Sequence, residues 1–348
     1  MAHRLHRFAI IVIVGVMALS ACKKEVPPPE PDLPDEKGHS VFVLNEGNFQ
    51  WGNASLSLIS LNNNSIQNDV FSAANNRPLG DVLQSAAFIN RELWLVVNNS
   101  QRIERIDLAT GKSKGAINGV QSPRYIINTG SGKAYVSDLY SGSIHVIDTA
   151  TYSISNSIQT NGWTEELILL NNRVWVCNTG SNQVYKINPI SHQIEDSVAV
   201  GIKPRSIRSD KMGRIWVLCE GEIPPQESAG SLWCIDASAN NVLCQFSFPN
   251  STDHPSKLCV NANGDRLYFL NNGVQRMSIS DVALPSTSFI QAGNRIFYGL
   301  SIHPQDESIW LSDARDYVQQ GKVFRYTSDA TLMNEWDAGI IPGGFFFY

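Results

Sequence analysis

After its first few positions the chain has no run of basic residues, and its 27 lysines and arginines are outnumbered by 32 aspartates and glutamates. Non-specific nucleic-acid binding needs a positive stripe, so that class is excluded. No P-loop or HExxH pattern occurs, and His39, His145, His192, His254 and His303 show no HxxxH pairing. Without an enzyme signature, a binding protein rather than an enzyme is expected. None of the 6 cysteines has CxxC spacing, which argues against zinc, and no metal is expected. Cys177, Cys219, Cys234, Cys244 and Cys259 all fall in apolar strand-like segments. Cys234 and Cys244 flank one hairpin and could pair in an oxidising compartment, but buried free thiols are the simpler reading. The apolar run Phe8 to Leu19 is too short to span a bilayer.

That run sits in an informative order. Arg4 and Arg7 precede it, and Leu19-Ser20-Ala21-Cys22 follows. Charged start, short apolar stretch and small residues before a cysteine match a bacterial lipoprotein signal over 1–21, with Cys22 as the acylated N-terminus. Membrane contact is expected through this lipid anchor only. Residues 22–38 continue with KKEVPPPEPDLPDEKG after the cysteine, too proline-rich and charged to bury a core. They read as a stiff tether able to hold the domain about 50 Å from the lipid. Lys23-Lys24-Glu25 resembles the short charged signal that sends lipoproteins to the outer surface in Bacteroidetes-type bacteria. The expected location is therefore the outer membrane, exposed at the cell surface.

Residues 39–348 carry a repeat. Seven short apolar strands are centred on Phe42, Trp94, Tyr135, Trp175, Trp216, Tyr268 and Trp310, at spacings of 52, 41, 40, 41, 52 and 42. A period near 40 built from strands means one four-stranded blade per repeat, and so an all-β, seven-bladed β-propeller. The third blade shows the unit: strand A from Pro123, strand B Ala134 to Ser137, strand C Ile144 to Asp148, strand D ending near Ile158. Asp107, Asp148, Asn188 and Asp236 each close a strand C, where the side chain can cap the following turn. Pro123, Pro204 and Pro255 open strand A, where no ladder donor is needed. The first blade lacks a strand A. Residues 340–348, a proline followed by an apolar run, supply it and close the ring.

In such a meander the B–C loops and D–A connections share one face, and here they are the long and varied ones. The candidate ligand-binding residues are drawn from them: Asn45, Glu46, Asn48, Phe49, Trp51, Asp81, Asn98, Arg124, Asp138, Tyr140, Trp163, Asn178, Arg205, Tyr298, Arg315 and Tyr317. Large aromatics on loop tips are costly unless something covers them, so Phe49, Trp51, Tyr140, Trp163 and Tyr317 are expected to be exposed and to bind. Amides and aromatics together suit a large, flat ligand with peripheral amides. No catalytic residue is expected. Glu165-Glu166, the close carboxylate pair near this face, reads as a solvated turn.

Through Ala134-Tyr135-Val136-Ser137, Ile147-Asp148-Thr149 and Lys203-Pro204-Arg205, the blades resemble the YncE-like seven-bladed propellers. Val43-Leu44-Asn45-Glu46-Gly47-Asn48, Leu79-Gly80-Asp81 and Pro123-Arg124-Tyr125 resemble the BtuG-type surface lipoproteins. That resemblance implies capture of a corrinoid such as cobalamin at the cell surface, as ligand rather than cofactor. It also implies hand-over to a TonB-dependent outer-membrane transporter. The alternative is a protein- or glycan-binding propeller with no small-molecule ligand.

Overall fold

A computed structural model describes residues 39–348; the signal segment, Cys22 and the tether lie outside the described residues. The chain forms seven antiparallel sheets of four strands each, with the inner strands A side by side around one axis. Blade three runs Pro123–Asn128, Lys133–Asp138, Ser143–Asp148 and Ser153–Gln159, as the repeat predicts.

The aromatic at the centre of each strand B explains the period. Strand B lies between strands A and C and is covered on both faces by neighbouring blades. Trp94, Tyr135, Trp175, Trp216 and Trp310 are accordingly buried. Each inter-blade layer mixes residues from both sides, as with Trp94 and Val96 of blade two against Ile126, Ala134 and Val136 of blade three. Trp310 stacks on Trp336 with ring centroids 5.5 Å apart.

The C-terminal strand Pro342–Phe347 completes blade one, pairing Val41 with Phe347, Phe42 with Phe346 and Val43 with Phe345. Ser40 and Tyr348 exchange backbone hydrogen bonds of 3.2 and 2.9 Å, so both ends of the domain meet at the face carrying the A–B turns. The expected turn caps form as well. The Oδ1 atoms of Asp107, Asp148, Asn188 and Asp236 each accept from two backbone N–H groups at 2.7–3.2 Å.

Two departures from the repeat stand out. A six-residue helix, Val70–Asn75, fills the connection between blades one and two. It is too short to show helical periodicity and is held by burial of Val70 and Phe71 against Leu56 and Leu79. In blade six, strand D shrinks to Ile290–Gln291, paired with Val274 and Gly273. Cys234 and Cys244 face each other across strands C and D of blade five, and both are free thiols.

Candidate functional site: a polar ring beneath an aromatic rim

All seven inner strands carry the same irregularity. Near the loop-bearing face, the A–B register shifts so that strand A holds one residue more than strand B. A bulge of this kind re-aims a side chain. Here the second residue of each strand A meets its counterparts around the axis: Gln84, Arg124, Glu165, Arg205, Lys257 and Tyr298. In blade one that position is Gly343. A Cβ there would lie 2.4 Å from Glu46 Oε1, so the glycine makes room for Glu46 from the B–C loop. These residues wall a funnel of about 630 Å³, with Phe49 and Tyr317 at its mouth.

The ring is tightly cross-linked. Arg124 Nε donates to both Glu165 oxygens at 3.1 and 3.2 Å, and its Nη1 donates to Gln84 Oε1. Arg205 bridges Glu165, at 3.2 Å, and Glu220, at 2.7–2.8 Å. Tyr298 donates its hydroxyl to Glu46 at 2.8 Å, and Lys257 donates to Gly343 O at 2.9 Å. Three carboxylates, Glu46, Glu165 and Glu220, thus share the funnel lining with three cations, Arg124, Arg205 and Lys257. Burial pushes the Glu46 carboxyl above its ordinary value, against the pull of Lys257 and the Tyr298 hydrogen bond. Burial alone would lower the Arg124 guanidinium, but neighbouring Glu165 outweighs it and holds it high. Tyr125 is pushed up, chiefly by burial, with Glu165 and Glu166 adding to it.

The axis continues below the ring into a lower cavity of about 250 Å³, reached past Gln84, Tyr125 and Lys257. There Glu166 pairs with Arg208 and accepts the Ile207 N–H at 3.1 Å. The reading of Glu165-Glu166 as a solvated turn is corrected: they are 1% and 7% exposed and lie on inner strand Thr164–Leu170.

Of the sixteen candidates, the funnel brings together Glu46, Phe49, Asn98, Arg124, Arg205, Tyr298 and Tyr317. Others hold the loops in place. Asn45 donates to Ser57 Oγ at 2.8 Å, and Asn178 accepts from the Ser181 N–H at 3.0 Å. Asp81 accepts from the Gln50 N–H at 2.8 Å. Asp138 accepts from the N–H groups of Gln121, Ser122, Tyr140 and Ser141 at 2.9–3.0 Å. Asn48 donates to Tyr317 O at 2.5 Å, tying the loops of blades one and seven. Arg315 pairs outward with Asp337 at 3.4 Å. Trp51 and Tyr140 are exposed on the rim, at 76% and 70%. Trp163 departs from expectation: it is half-buried, with the Arg205 guanidinium 4.2 Å over its ring.

Gln84, Lys257 and the role of Glu165 escaped the sequence reading. The signal was present, since each is the second residue of a strand A, the position of Arg124 after Pro123 and Arg205 after Pro204. Among the described residues no cluster of His, Cys, Asp or Glu is arranged to hold a metal.

Fold and site together define a seven-bladed propeller with a polar axial funnel. Residues 39–331 match the family described as a domain of unknown function, DUF5074, and the chain belongs to that family. No curated protein matches it. Among solved structures it is similar to a quinonprotein alcohol dehydrogenase-like protein from Bacteroides thetaiotaomicron, at 13% identity and TM-score 0.67, covering 90% of this chain and 79% of that one. A protein from Lactobacillus plantarum is similar at 14% identity and TM-score 0.67, covering 89% and 99%. One from Desulfotomaculum acetoxidans is similar at 14% and 0.65, covering 89% and 98%. At these identities the likeness concerns the fold alone.

Proposed function

We propose that the protein is a cell-surface lipoprotein that captures a corrinoid in the axial funnel and passes it to a TonB-dependent outer-membrane transporter. The observation that carries the binding step is the ring of fixed donors and acceptors sunk beneath exposed aromatics. A corrin is a broad, partly apolar plate edged with amides. Phe49 and Tyr317 can cover its face, while Arg124, Arg205 and Lys257 offer donors and Glu46 an acceptor to its amides. The balance of three carboxylates against three cations suits a ligand whose body is nearly neutral. The same groups are locked to one another, which favours binding by a pre-formed site over catalysis.

The test is calorimetric and spectral titration of residues 39–348, the closed ring, with cyanocobalamin. Saturable heat and a shifted absorption band are expected at micromolar protein. A folded domain that gives neither result rules the reading out. The transporter step follows the resemblance to the BtuG-type lipoproteins. Its check is co-purification of a TonB-dependent barrel with the full-length lipoprotein from detergent-solubilised membranes.

A further inference from the structure

A second cavity of about 600 Å³ opens on the same face, between blades six and seven, and joins the funnel through His254, Ser256 and Phe297. Its chemistry is different. No aspartate or glutamate is among its lining residues, and its one permanent cation is Arg295. Arg295 donates to Ala292 O at 3.0 Å, Gln291 O at 3.0 Å and Tyr326 Oη at 2.7 Å, with its guanidinium 4.8 Å from the Phe297 ring centroid. Among the described residues it forms no ion pair. A guanidinium has five N–H donors, and three are committed. The remaining two sit on a rigidly held, half-buried cation.

The surroundings suit an incoming anion. Three acids stand behind its walls, each tied to a lining residue, and none of them lines the cleft. Asp253 accepts from Asn271 Nδ2 at 3.1 Å and from Asn250, Asp313 accepts from the Ile296 and Arg315 N–H groups, and Glu227 lies 3.7 Å from His254 Nε2. Gly293 leaves its side open, with nothing within 4 Å of where a Cβ would stand. Asn272 and Gln291 add amide groups to the walls.

We propose that this cleft is the second half of a bipartite site, and that it takes a phosphate-bearing arm of the ligand whose body fills the funnel. The assignment of the body rests on the corrinoid reading above; the assignment of the arm rests on the cleft. A planar guanidinium with two free donors matches a phosphodiester, and a cleft without carboxylates does not repel one. The ligand class is then a macrocycle joined to a nucleotide-like tail, not the bare macrocycle.

Two corrinoids separate the halves. Cyanocobalamin carries the phosphodiester arm, whereas dicyanocobinamide has the same ring without it. Titration of the intact protein should show tighter binding of cyanocobalamin. Arg295→Gln should weaken cyanocobalamin about tenfold or more and leave dicyanocobinamide within about twofold. Gly293→Asp, which adds a carboxylate in open space and keeps Arg295, should do the same if Arg295→Gln melts early. Saturation-transfer NMR with ribose 5-phosphate probes the arm alone, and its signal should vanish in both variants. If both corrinoids bind equally, or both weaken equally in the variants, the cleft assignment is overturned and the funnel reading stands. If neither corrinoid binds, the funnel reading fails. In that case a ribose 5-phosphate signal lost in Arg295→Gln still supports the cleft, and no signal overturns it too.

Discussion

Arg124 and Glu165 form a two-pronged ion pair between adjacent inner strands, with Arg124 Nη2 3.0 Å and Nε 3.1 Å from Glu165 Oε1. Glu165 is 1% exposed and also takes Arg205 at 3.2 Å, so one carboxylate ties together three consecutive blades. Removing one partner of such a pair leaves charge uncompensated in a place water barely reaches. Glu165→Leu should therefore destabilise the domain by about 3–5 kcal/mol. Urea unfolding followed by tryptophan fluorescence measures it, and a loss below about 1 kcal/mol would show that the ring contributes little to stability.

The last nine residues should be indispensable to the fold. Pro342–Phe347 supplies the inner strand of blade one, and Phe345 and Phe347 pack on Trp310 with ring centroids 5.9 Å away. Deleting residues 340–348 exposes this apolar surface, at about 25 cal/mol per Å², and opens two sheet edges. The truncated domain should melt far lower or fail to express in soluble form. Thermal melts beside the intact domain decide it, and matching melting temperatures would contradict closure by this strand.

Acid should loosen the loop after strand B of blade three. Burial acts to raise the Asp138 carboxyl, but the hydrogen bond with His145 and the N–H groups of Ser141, Ser122 and Tyr140 outweigh it and hold it at about 2. A carboxyl depressed in the folded state stabilises the protein above its unfolded value, near 3.9, and that contribution fades as pH falls through about 2. Asp138→Asn should flatten the acid limb of a stability-versus-pH curve between about pH 4 and 2. It should also cost about 2 kcal/mol at pH 7, because the bonds to the charged acceptor are lost. An unchanged acid limb would remove Asp138 from the explanation.

Phe49 is 61% exposed at the funnel mouth, whereas Trp163 is half-buried under Arg205. Phe49→Ala should weaken cyanocobalamin by about 1–3 kcal/mol and leave the melting temperature unchanged. Trp163→Ala should lower the melting temperature as well, since it removes the surface on which Arg205 packs. Lys112→Ala, in an exposed turn of the opposite face, should alter neither. Calorimetry paired with thermal melts separates the three outcomes.

Cys22→Ser should release the protein from the membrane fraction, given Leu19-Ser20-Ala21 before the cysteine and the apolar run ahead of it. Fractionation after a salt wash checks this. A Ser variant that still sediments with membranes would mean that Cys22 is not the anchor.

Seven aromatics at a period near 40 determined the blade count and the strand order, because pairing along each blade's meander is local and each blade repeats one short pattern, while the closing strand was legible from the missing strand A and the proline-led apolar run at 340–348. The turn caps at Asp107, Asp148, Asn188 and Asp236 were equally legible, since each bonds within three residues of itself. The helix Val70–Asn75 was not, for it exists through two buried contacts rather than through periodicity. Nor was the funnel. Its residues stand about 40 positions apart in the chain and meet only when the ring closes. Which side chains turn inward depends on a bulge that shifts each inner strand by one residue. Asn45, Asp138 and Asn178 looked like ligand contacts and became loop anchors, because a buried side-chain acceptor or donor is claimed first by the nearest unpaired backbone or hydroxyl group. Glu165 looked like solvated charge and became the hub of the ring, because only the closed tertiary structure brings Arg124 and Arg205 to either side of it.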